Sequence, residues 1–61
     1  MEKIIVILET KNAAFDGEPG TEAARILRDL ADRIEGMTQA PEEPLKLHDI
    51  NGNAAGLAQI I

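Results

Sequence analysis

The chain has no cysteine, no serine, no tyrosine and no tryptophan, and it has one phenylalanine and one histidine. The missing cysteine removes disulfides, thiolate metal sites and thiol catalysis together. Without serine, hydroxyl nucleophiles reduce to Thr10, Thr21 and Thr38, none beside a base in a recognisable catalytic pattern. Excess positive charge is missing as well. Six Lys and Arg against eleven Asp and Glu leave a formal net charge of −5. That balance disfavours direct contact with nucleic acid or anionic membrane, which both need positive charge to meet phosphate. There is also no long hydrophobic run. Ile4–Leu8 is too short to span a bilayer or to form a signal-peptide core, and Glu2 precedes it. The expectation is a mature, soluble protein of a reducing cytoplasm.

What is present is a partition. Sixty-one residues make one small domain, in which only about 60% of the unfolded surface is expected to be buried. With no disulfide to add stability, association is the first compensation to expect. Residues 2–10 read as a strand. Ile4, Val6 and Leu8 point to one side, Ile5 and Ile7 to the other, and neither side is polar until Lys3 and Glu9. Such a strand is expected to be central in its sheet or covered on both faces. Residues 11–20 form a connection with turn signals at Asp16-Gly17 and Pro19-Gly20. Phe15 is the natural anchor for that loop beneath the following helix.

The helix is expected over residues 20–35. Ala23, Ile26, Leu27, Leu30 and Ile34, with Met37 beyond, recur at spacings of three and four. Its start has two readings, Thr21 as N-cap or Pro19 at the first helical position. Glu22 falls in the first turn, where a carboxylate complements the helix dipole. Gly36 supplies the stop. Arg25, Arg28, Asp29, Asp32 and Arg33 fill the polar side, with Asp29 and Arg33 four apart in the favourable order. Residues 37–44 carry two prolines and read as a mobile linker. Residues 45–61 read as a hairpin: Leu45 and Leu47 inward, Lys46 and His48 outward, then Asn51-Gly52, then a weaker strand in which Gly56 marks a bulge or a close approach. The architecture is therefore α+β: a single β-α-β-β domain, one helix on a three-stranded, mainly antiparallel sheet, the first two strands running the same way. One helix covers one face, and the other carries either Ile5 and Ile7 or their opposite set, with nothing left to cover it.

Chemistry-bearing patterns are thin. His48 and Asp49 are neighbours in a strand and point to opposite sides, so they do not share a proton. Asp49-Ile50-Asn51-Gly52-Asn53 resembles the opening of a calcium loop, but its glycine is fourth where such loops place it sixth, and Ile60 stands where the bidentate glutamate belongs. The hairpin reading accounts for the same residues without a metal. Gly17 to Gly20 lies before a helix, but Asp16, Glu18 and Glu22 would repel an anion there. No cofactor, metal or catalytic residue is expected, and the chain reads as a non-enzyme. The surface candidates for binding a protein are Asp29, Asp32 and Arg33 on the helix and Glu42 and Glu43 in the linker. Ile5 and Ile7 are the candidates for self-association.

Three stretches also carry a resemblance: Asn12-Ala13-Ala14-Phe15, Ala24 through Arg33 (Ala-Arg-Ile-Leu-Arg-Asp-Leu-Ala-Asp-Arg), and Asp49 through Asn53. Together they resemble a group of very small proteins encoded by phages and prophages. The resemblance implies an accessory product acting in the cytoplasm of a bacterial host. It also implies a protein partner, a host factor such as a component of a defence system, inhibited in the way anti-CRISPR proteins act. The alternative is a self-associating structural module, a homodimer of no independent activity, and the lesser alternative a metal-binding or enzymatic protein.

Overall fold

The computed structural model describes residues 1–61. Strand β1 spans Ile4–Leu8, a short 3-10 turn spans Ala13–Phe15, helix α1 spans Pro19–Ile34, strand β2 spans Leu45–His48 and strand β3 spans Ala54–Ile60. The fold is α+β, with one helix and one antiparallel three-stranded sheet in the order β1-β3-β2. Both outer strands are antiparallel to β3, so β1 and β2 run the same way without touching.

That order corrects the expected place of β1. It is an edge strand, and the last strand in the chain is the central one. The reason lies in β3, whose small residues let neighbours close in on both sides. Ala58 is wholly buried, between Val6 of β1 and Leu45 of β2. Gly56 sits between Leu8 and Leu47, and a Cβ added to it would run into the carbonyl oxygen of Ile7. The register shift between Leu47 and His48 falls beside the same glycine. Gly56 therefore supplies both the close approach and the neighbourhood of the bulge.

Cross-strand partners share a face. Ile4, Val6, Leu8, Leu45, Leu47, Ala58 and Ile60 lie on the helix side, and Ile5, Ile7, Lys46, Leu57 and Gln59 on the other. The core gathers Phe15, Ile26, Leu30, Leu47, Ala55 and Ala58, with Leu8, Ala14, Ala23, Ile34 and Leu45 packed around it. Phe15 is carried on the 3-10 turn against α1 and is 2% exposed. Burying it is worth about 1.5–3 kcal/mol.

Helix α1 begins with Pro19 at its first position, after Glu18, which makes no side-chain cap. It ends where Gly36 takes a positive φ of 87°. Ile26 and Leu30 are buried as the stripe requires, but Leu27 is largely exposed. The link from β2 to β3 is wider than a two-residue hairpin. Gly52 takes the positive φ, whereas no residue other than glycine does, so Asn51 is not left-handed and the mirror-image two-residue turn is excluded. The turn instead closes from the Gly52 N–H to the Asp49 carbonyl at 2.9 Å, and the Asp49 N–H donates to the Asn53 carbonyl at 2.9 Å. Residues 37–44 hold neither helix nor strand.

Two substitutions test this packing. Leu30→Ala should cost about 2–5 kcal/mol, comparable to the whole stability of a domain this small, and so abolish a cooperative melting transition. Gly56→Ala should cost about 1–3 kcal/mol in denaturant titration, because the new methyl meets strand backbone. Gly20→Ala, facing open space within the helix, should cost nothing and add up to about 1 kcal/mol.

Candidate binding surface

The helix is not centred on the sheet. It is bound to the β2 edge by three side chains. Glu22, 7% exposed, accepts from Arg25 Nε at 2.7 Å and Nη2 at 3.0 Å, and its Oε2 also accepts the backbone N–H of Ile50 at 2.8 Å. Arg25 Nη2 reaches the His48 carbonyl at 3.4 Å. Arg33 Nη1 donates to the Lys46 carbonyl at 2.9 Å. All three anchors lie on or just past β2, so α1 is drawn over β2 and the 3-10 turn and away from β1.

The loop after β2 is held by a second buried carboxylate. Asp49, 4% exposed, accepts the N–H groups of Asn51 and Asn53 on Oδ1, both at 2.9 Å. Its Oδ2 accepts from Asn12 Nδ2 at 3.1 Å, and the same Asn12 nitrogen donates to the Ala54 carbonyl at 3.1 Å. Burial pushes the Asp49 carboxyl up, but the donors from Asn53, Asn12 and Asn51 outweigh it and hold it below its ordinary value. The hydrogen bonds from Arg25 hold Glu22 below its ordinary value against the opposing effect of burial, with the Ile50 N–H adding to them. Of the residues that suggested a calcium loop, Asp49 thus has both carboxylate oxygens engaged in holding the turn.

With α1 drawn aside, β1 is bare. Ile4, Ile5, Val6 and Ile7 are 47%, 38%, 40% and 54% exposed, so both faces of the strand meet solvent. Leu57, paired with Ile7, extends the apolar patch on the face away from the helix. On the helix face the exposed Leu27 projects from the side of α1 turned away from Glu22 and Arg25, at 100° per residue.

The backbone edge of β1 is open too. Lys3 and Ile61 exchange hydrogen bonds at 2.8 and 2.9 Å, and the Glu9 N–H bonds the Ala55 carbonyl at 2.8 Å. In an antiparallel ladder the bonded pairs alternate. The odd-numbered residues therefore bond to β3, and Ile4, Val6 and Leu8 turn their N–H and C=O groups outward.

The binding candidates read from the sequence do not meet in one place. Asp29, Asp32 and Arg33 are on exposed positions of α1, and Asp29 and Arg33 approach to 4.0 Å, but Arg33 is engaged with β2. Glu42 and Glu43 are exposed in the segment before β2. Ile5 and Ile7 lie together on the open face of β1. Sequence reading expected one open face on β1 and missed that both are open, and it missed Leu27 as exposed and Glu22 as a buried anchor. The signal for Glu22 was available: it stands four residues before Ile26 and eight before Leu30, on the core side of the helix.

Two shallow depressions flank the 3-10 turn. One is lined by Asp16, Glu18, Thr21 and Glu22, and the other by Glu9, Lys11, Asn12 and Leu57. The first sets the Thr21 hydroxyl among carboxylates, the second holds the exposed Lys11–Glu9 pair, and His48 lies at neither. No helix is long and apolar enough to cross a membrane. No family model, no curated protein and no solved structure matches this chain.

The two buried carboxylates set a pH dependence. Each has a depressed folded-state pKa, so each contributes stability that is fully present above its unfolded value and lost as pH falls through the folded one. The melting temperature should be flat near neutrality and fall below about pH 4. In the double variant Glu22→Gln, Asp49→Asn, the neutral-pH melting temperature should drop and the acid limb should flatten. An unchanged acid limb would remove these two groups as its cause.

Proposed function

We propose that this chain is a non-catalytic protein-binding accessory protein whose binding element is β1. One observation carries the reading: an edge strand with outward-turned backbone groups and with apolar side chains exposed on both faces. Soluble proteins usually blunt such edges with charge, proline or a bulge, because an open edge is a template for pairing. A partner adding a strand here would gain main-chain hydrogen bonds from Ile4, Val6 and Leu8 and side-chain contacts on either face. The net charge of −5 favours protein over nucleic acid as that partner. The resemblance to small phage-encoded products supplies the context: the bacterial cytoplasm, and inhibition of a host factor such as a defence component, in the manner of an anti-CRISPR protein.

Val6→Pro is the test. The Val6 N–H points away from β3, so proline there removes an outward donor and breaks no bond of the ladder. Wild type and variant are immobilised and challenged with bacterial lysate and with the free chain itself. The expected result is protein retained by the wild type and lost with the variant, at matched circular dichroism spectra. The same set retained by both, or nothing retained by either, would overturn the reading.

A further inference from the structure

We infer that the partner of β1 is a second copy of this chain, joined edge to edge about a two-fold axis at Val6, in one continuous antiparallel sheet. This rests on reading β1 as the binding strand, and it adds the identity and the register of the occupant; a host protein would take the same edge only by displacing the second copy. The argument starts from the strand's sequence, Glu2-Lys3-Ile4-Ile5-Val6-Ile7-Leu8-Glu9. Its apolar block is bracketed by one positive and one negative residue, both on the face away from the helix. With Val6 opposite its own copy, Ile4 faces Leu8 of the second copy and Ile5 faces Ile7. Lys3 then faces Glu9, and by symmetry Glu9 faces Lys3. Every apolar residue meets an apolar one, and both charges meet their opposites.

Other registers fail on the same residues. The outward backbone groups sit on alternate residues, so the pairing can slide only in steps that keep Ile4, Val6 and Leu8 facing one another. The next step one way sets Lys3 against Ile7 of the second copy. The next step the other way sets Glu9 against Ile5. Each leaves a charge against an isoleucine and gives up the ion pair. Glu9 already lies 3.1 Å from Lys11, but both side chains are mostly exposed, at 61% and 80%. A surface pair of that kind is worth little and can be exchanged for Lys3 across the seam. In the paired state Ile4, Val6 and Leu8 each exchange an N–H and a C=O with the second copy. The open-face side chains Ile5 and Ile7 of the two copies come into direct cross-strand contact.

The size of the monomer's core points the same way. Its buried apolar residues number seven, of which two are alanines: Phe15, Ile26, Leu30, Leu47, Ala55, Ala58 and Ile60. Four large aliphatic residues in β1 stay outside that core. A chain of this length without disulfides usually finds its remaining stability in association.

Two measurements test the pairing. Light scattering with size exclusion, over micromolar to millimolar chain concentrations, should show a dimer. Lys3→Glu places like charges together at both ends of the seam and should raise the dissociation constant about tenfold. Adding Glu9→Lys to that variant should restore it, because only this register puts the two positions opposite each other. Independently, Val6→Cys introduces the only thiol in the chain, at a position where paired Cα atoms stand about 5.5 Å apart, within disulfide reach. Mild oxidation should convert it to a covalent dimer whose circular dichroism matches the wild type. A wild-type chain that stays monomeric throughout would overturn the self-pairing. If a lysate protein is then lost on Val6→Pro, the reading of β1 as a binding strand survives; if none is, both fall. A dimer that Lys3→Glu does not weaken, or that the second change does not restore, overturns the register.

Discussion

The arrangement of this molecule depends on where its helix is held. Glu22, Arg25 and Arg33 bind α1 to the backbone of β2 and of the turn after it, at the carbonyls of Lys46 and His48 and the N–H of Ile50. These are charge-assisted bonds, and the Glu22–Arg25 pair has the two-point geometry that fixes orientation as well as distance. An amphipathic helix without such anchors would settle over the middle of its sheet, where it covers the most apolar surface. Here the anchors draw it to one side. Leu47 and Leu45 gain cover from α1, while Ile4 and Val6, on the same face of the sheet, lack it. The bare strand is thus a consequence of polar contacts on the opposite edge.

The strand order follows from a second constraint, the small side chains of β3. A central strand must accept neighbours on both edges and a helix on one face. Gly56 and Ala58 meet that requirement by presenting almost nothing to collide with. A β-branched strand such as β1 could occupy the centre only if a second layer covered its other face, and a chain of this length has no second helix to provide one. The Ala and Gly content that made residues 55–61 read as a weak strand is what qualifies them for the middle.

Much of the fold was legible. The apolar block of β1, the three-and-four stripe of α1, the Gly36 stop, the inward Leu45 and Leu47, and the positive φ at Gly52 each follow from a local rule. None needs knowledge of the rest of the chain. The place of β1 was not legible, because an apolar run on both faces describes a buried central strand and an edge awaiting a partner equally well. Periodicity reports which residues avoid water and not which object removes it. Asp49 and Glu22 were misjudged for a related reason. Asp49 carries no mark of burial in its own segment and Glu22 only its place on the core side of the helix, and each is buried by contacts with groups distant in sequence, Asn12 in one case and Ile50 in the other. Of the exposed apolar surface, alternation alone showed that one face of β1 would lack cover, without choosing between Ile5 with Ile7 and the opposite set. That both faces are open, and Leu27 with them, required knowing that α1 is displaced.

An open apolar edge is a hazard as well as a means of recognition, and the two differ only in whether pairing terminates. A strand that is apolar to its ends can slip and can recruit any other edge. At the two ends of β1 the flanking charges of Lys3 and Glu9 limit both. They are complementary under one two-fold register, and neighbouring registers leave them against isoleucine. A two-fold pairing also consumes the β1 edge of both copies at once, so growth by that edge stops at two. The remaining outer strand, β2, differs in kind: it is short, Lys46 and His48 alternate along it, and its backbone carbonyls at Lys46 and His48 already accept from Arg33 and Arg25. The same arginines that draw the helix away from β1 therefore also help close the other end of the sheet. A single set of contacts leaves one edge available and occupies the other, which makes pairing at β1 directional and finite.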